Sequence, residues 1–101
     1  MTKLQLSIYL KETDRHDEVP LHEYIVRRLL HSGISGATVL RGVMGYGRHG
    51  HVHRTRLFGV SDDRPVVVVA IDDEALLLSF LPELKAIAPG ALVVAQHVEV
   101  L

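Results

Sequence analysis

The chemistry this chain could perform is concentrated in its middle. Between residues 24 and 61 there are six arginines (Arg27, Arg28, Arg41, Arg48, Arg54 and Arg56) and four histidines (His31, His49, His51 and His53), with no Asp or Glu. Such an excess raises the local concentration of anions. Within it, Gly45-Tyr46-Gly47-Arg48-His49-Gly50-His51 combines the parts of an anion cradle. Glycines permit close backbone approach and expose N–H donors, and an arginine forks onto phosphate or carboxylate. Arg48, which follows two of these glycines, is the best single candidate for a phosphate contact. The same string also reads as a glycine hairpin loop with solvated basic residues. Arg41 stands inside an otherwise apolar stretch, where it could reach a ligand, reach an acid of another subunit, or face solvent.

His49, His51 and His53 lie two residues apart. In an extended strand they would share one side, which is how imidazoles converge on zinc, copper or nickel. Against a metal, no carboxylate lies nearby to orient the rings, and Arg48 and Arg54 would repel a cation. Asp62-Asp63 and Asp72-Asp73-Glu74 read as turn and helix-cap residues rather than a catalytic pair. Ser7, Ser32, Ser35, Ser61 and Ser79 show no nucleophile elbow. The reading is a binding protein, not an enzyme.

Composition excludes further classes. The chain has 101 residues, which suggests a single domain over 1–101, and no cysteine, which removes disulfides and thiolate metal sites. The net charge is −1, and Tyr46 and Phe58 are the only aromatics near the basic middle, so nucleic acid is not the expected partner. The longest apolar runs, such as residues 66–71, are far short of a membrane span, so direct membrane insertion is not expected. No signal pattern opens the sequence, and the expected location is cytoplasmic.

The elements that must position these residues follow from periodicity. Leu4, Leu6, Ile8 and Leu10 alternate with polar neighbours, as in a half-buried strand. Residues 13–18 have turn character, and Pro20 suits the first turn of a helix. Leu21, Tyr24, Ile25, Arg28 and Leu29 keep helical spacing, and His31 and Gly33 supply a stop. Residues 37–44 read as one strand, residues 45–53 as a loop, and residues 54–60 as a resumed strand. The β-branched run at residues 65–71 predicts a central strand covered on both faces. Asp72 and Asp73 suit a helix cap, and residues 75–87 suit a helix with a kink or restart at Pro82. Residues 92–101 form a last strand. The expected fold is α+β, a ferredoxin-like βαββαβ sandwich with an antiparallel sheet and two helices on one face.

Three strings carry a family resemblance: Pro20-Leu21-His22-Glu23-Tyr24-Ile25-Val26, the run from Gly36-Ala37-Thr38-Val39-Leu40-Arg41 through Gly42-Val43-Met44-Gly45-Tyr46-Gly47, and Phe80-Leu81-Pro82-Glu83-Leu84. They resemble the uncharacterised PII-like branch, a bacterial and archaeal domain family of unknown function within the trimeric PII signalling superfamily. In addition, Gly45-Tyr46-Gly47-Arg48 is similar to the element that holds nucleotide phosphates in PII proteins, with His49 where those have glutamine. The segment 88–91 lacks the basic glycine-rich character of the PII phosphate loop, and the last strand lacks its arginines. Only Gly45, Gly47 and Arg48 therefore carry that role over.

The resemblance implies a homotrimeric signal-transduction protein. Its small anionic ligand, an adenine nucleotide, would bind between subunits near Gly45, Gly47 and Arg48, and the basic middle adds Arg41 and His49 as candidate contacts. A short flexible loop over residues 48–54 would then engage a protein partner such as a membrane transporter or channel. The competing readings are a metal-binding trimer using His49, His51 and His53, and a structural interaction module with no ligand.

Overall fold

The computed structural model describes residues 1–47, 53–54 and 63–101. In chain order the elements are β1 (Thr2–Lys11), β2 (Arg15–His16), β3 (Val19–Pro20), α1 (Leu21–His31), β4 (Ala37–Arg41), β5 (Met44–Gly45), β6 (His53–Arg54), β7 (Pro65–Asp72), α2 (Glu74–Ile87) and β8 (Leu92–Glu99). The main sheet has the order β4-β7-β1-β8, and every neighbouring pair is antiparallel. With the short strands set aside, this is the predicted βαββαβ sandwich.

The alternation in β1 decides which face is covered. Leu4, Leu6, Ile8 and Leu10 are buried, and their register partners Val66, Val68 and Ala70 of β7 lie on the same face. Leu21, Ile25 and Leu29 of α1 and Leu77, Phe80 and Leu84 of α2 complete one core with them. Both helices thus cover one side of the sheet. Burying each such aliphatic side chain stabilises the fold by about 1.5–3 kcal/mol.

Helix α1 stops as predicted, and the reason is geometric. Gly33 has φ 83, a conformation that costs an L side chain energy. Its N–H donates to Leu30 O and the N–H of Ile34 donates to Leu29 O, both at 3.1 Å. This is the paired C-terminal closure in which the buried Ile34 also meets the last apolar turn.

Four expectations are corrected. The predicted strand over residues 37–44 ends at Arg41, because Gly42 leaves the main sheet and Met44–Gly45 pairs instead with His53–Arg54. Residues 13–20, read as a turn leading into a helix, fold as a small β2–β3 hairpin with Asp17 at φ 54, and Pro20 is the residue before the helix. Pro82 does not interrupt α2, which runs unbroken from Glu74 to Ile87. Pro82 and Leu78, whose carbonyl loses its donor, are exposed, while Leu77, Phe80 and Leu84 anchor the helix on either side. Finally, within the single chain β7 is central but covered by the helices on one face only. Its other row, Val67, Val69 and Ile71, faces away from the helices together with Tyr9, Leu40, Leu92 and Val94.

Among the described residues no helix is long and apolar enough to cross a membrane. The predicted strand over residues 54–60 lies, except for Arg54, outside the described residues.

Candidate functional site

Antiparallel order brings four chain segments to one edge of the sheet: the end of β1, the end of β4, the start of β7 and the start of α1. Arg41 is the last residue of β4 and lies opposite Val66 near the start of β7. Its guanidinium reaches Glu12, the residue after β1, with Nη2 at 3.1 Å from Oε1. The other carboxylate oxygen of Glu12 accepts from Arg64 Nε at 3.3 Å. The backbone repeats the link, because Glu12 N–H donates to Arg64 O at 2.9 Å and Gly42 N–H donates to Pro65 O at 2.7 Å.

Gly42 is required at this point. A Cβ there would lie 2.7 Å from Cγ of Pro65, too close for any side chain without a shift. Gly45 is nearly as confined, its Cβ position lying 3.3 Å from the same atom, whereas a Cβ at Gly47 meets none of the described residues within 4 Å. Gly42 and Gly45 therefore let the chain pass Pro65.

Beside Arg41 lies an open cleft of about 460 Å³, lined by Glu12, Thr13, Arg15, His22, Arg41 and Asp63 among others. Two hydrogen bonds tie its lining: Thr13 N–H donates to Asp63 Oδ1 at 2.9 Å, and within the β2–β3 hairpin Arg15 Nη1 donates to Glu18 O at 3.1 Å. The carboxylates of this cleft thus spend oxygens on internal donors. Arg41 is 52% exposed, while Glu12 is only 27% exposed. Nδ1 of His22 is buried without a hydrogen-bond partner among the described residues. The arrangement suits an anion that approaches Arg41 and Arg15 from solvent.

Of the predicted ligand-binding residues, Arg41 ends β4 beside the cleft and Gly45 packs against Pro65 at the start of β7, while Gly47 follows β5 without a contact that ties it to either. Arg48 and His49 lie outside the described residues, as do His51 and most of the loop expected to be flexible. His53 is described through its backbone, which pairs with Gly45. Among the described residues no group of three or more His, Cys, Asp or Glu side chains is placed to hold a metal ion. Sequence reading missed Glu12, His22 and Arg15 as lining residues. Nothing local marks them, since Glu12 meets Arg41 only because the sheet order sets the end of β1 two strands from the end of β4.

Residues 3–100 match the model of DUF190, described as "Uncharacterized ACR, COG1993". A UPF0166 protein of Aquifex aeolicus is 34% identical over 99 residues, covering 98% of this chain and 93% of the relative. A UPF0166 protein of Methanocaldococcus jannaschii is 38% identical over 79 residues, covering 78% of this chain and 72% of the relative. Among solved structures, the fold is similar to CPII of Thiomonas intermedia K12, a nitrogen regulatory PII-like protein bound to ADP, AMP and bicarbonate. The TM-score is 0.72 at 18% identity, over 99% of this chain and 96% of that one. The same protein bound to ADP, AMP and acetate gives a TM-score of 0.66 at 19% identity, over 98% and 88% of the two chains. The chain belongs to the DUF190 family, and its fold is that of the PII-like proteins.

Proposed function

We propose that this chain is a PII-like regulatory protein, not an enzyme, that binds an adenine nucleotide at the sheet edge carrying Arg41, Gly45 and Gly47, with Arg48 and His49 as further contacts. The observation that carries the reading is the position of Arg41. It is half exposed at the mouth of an open cleft, at the strand end from which the chain runs into Gly45-Tyr46-Gly47-Arg48. The ADP and AMP bound by CPII support the choice of ligand class. The absence of any acid from residues 24–61 supports an anion.

The protein acts as a homotrimer, with the ligand between subunits. Surplus apolar surface supports self-association: Tyr9, Leu40, Leu92 and Val94 are 44%, 55%, 60% and 42% exposed on the uncovered sheet face. The segment over residues 48–54 carries the signal to a protein partner such as a membrane transporter or channel, and the protein works in the cytoplasm as a single domain.

Thermal-shift screening of AMP, ADP, ATP and cyclic nucleotides beside zinc, copper and nickel tests the reading, because only a ligand of the native state raises the melting temperature. A rise with a nucleotide is expected. A rise with a metal alone favours the His49, His51 and His53 site, and no rise with either favours a structural interaction module.

A further inference from the structure

The uncovered face of the sheet carries a polar seam across an apolar field. Gln5 of β1 lies directly opposite Gln96 of β8, and Gln5 Nε2 donates to Ser7 Oγ at 3.3 Å. A shallow depression of about 300 Å³ follows these residues, with Tyr9 and Val94 beside them. Apart from Thr38 at the β4 edge, the rest of the face among the described residues is apolar, with Leu40, Val67, Val69, Ile71 and Leu92 on it, and the charged Lys3 and Lys11 stand at the ends of the β1 row.

This composition suits further copies of the same chain as the occupant. Among the described residues the middle of the face is uncharged, so they offer nothing to select a partner of opposite charge. An amide both donates and accepts, so glutamines can pair with their own copies without a separate complementary set. Apolar contact alone is non-directional, and a face of Val, Leu and Tyr would tolerate slipped or rotated packings. Amides buried within it do not, because a packing that leaves them without partners loses their hydrogen bonds to water and regains nothing.

We infer that Gln5, Ser7 and Gln96 set the register of self-association, so that only the packing that brings amides of neighbouring copies within hydrogen-bond reach is stable. A single polar residue fixes register and oligomer state in coiled coils by the same logic. The inference rests on the homotrimer reading above.

Light scattering on the full chain tests it. The wild type should give one mass above that of the monomer. Gln5→Leu with Gln96→Leu should still associate but give several masses, because the apolar drive remains and the register is lost. Gln96→Glu, which changes an exposed residue of the single chain, should fall to the monomer mass. Far-UV circular dichroism checks that each variant is folded, and if the double variant is not, Gln96→Glu alone decides. A double variant with one wild-type mass and an unchanged melting temperature overturns the seam, as does a Gln96→Glu variant of unchanged mass. A monomeric wild type overturns both the seam and the homotrimer.

Discussion

Glu12 holds Arg41 at 3.1 Å with one carboxylate oxygen and Arg64 at 3.3 Å with the other, so one acid joins the strand end before the glycine string to the strand start after it. An anion that takes Arg41 must compete with Glu12. Glu12→Gln removes the competing charge and should tighten binding of ADP by a few-fold, in line with the roughly 0.2–1 kcal/mol typical of exposed ion pairs. Calorimetry on the two proteins reads this directly, and weaker binding by the variant would show that Glu12 contributes to the ligand rather than competing for Arg41.

Gly42→Ala should destabilise the fold by about 1–3 kcal/mol, the usual cost of forcing atoms into a filled space. The clash is with Pro65 Cγ, held in place because Gly42 N–H donates to Pro65 O at 2.7 Å. Gly36→Ala meets nothing within 4 Å and serves as the control, with a change below about 0.5 kcal/mol. Urea unfolding midpoints compare the two, and equal midpoints would refute the close approach.

Asp72 joins the turn after α1 to the start of α2. Its carboxylate accepts the N–H groups of Ser35 and Asp73, each at 2.7 Å, and these bonds hold its pKa below the usual aspartate value. Because the folded pKa is depressed, the stabilisation is present above the unfolded value near 3.8 and is lost as pH falls through the folded one. Asp72→Ala should lower stability at neutral pH by about 0.5–1.5 kcal/mol, as loss of a hydrogen-bond acceptor does. The gap between variant and wild type in thermal unfolding should close in acid. A gap that persists below the folded pKa would contradict this role.

The sequence displayed the fold wherever one local pattern decides the structure. Leu4 to Leu10 alternate because one face meets the helices, and Gly33 stops α1 because only glycine takes its backbone angle without cost. It was misleading where tertiary packing overrides a local rule. Pro82 breaks a helix in isolation, yet α2 continues because Leu77, Phe80 and Leu84 fasten it to the sheet. The β-branched run of β7 reads as buried on both faces, whereas one of its rows faces away from the core. Basic composition pointed to Arg41, which does line a cleft, and the glycine spacing pointed to Gly45, which does pass close to Pro65. Glu12 was not legible, since no spacing in the chain announces a contact created by the order of strands.

The central claim is that an adenine nucleotide binds the native protein through the arginines of the acid-free segment. Isothermal calorimetry with AMP, ADP, ATP and a cyclic nucleotide, on the wild type and on Arg48→Ala, tests it most directly. The account predicts saturable heat for at least one nucleotide. It also predicts a dissociation constant about ten- to a hundred-fold weaker in the variant, as expected for losing one charge-assisted contact of about 1.5–3 kcal/mol. No heat from any of the four, at concentrations that would reveal a dissociation constant of about a millimolar, would contradict it.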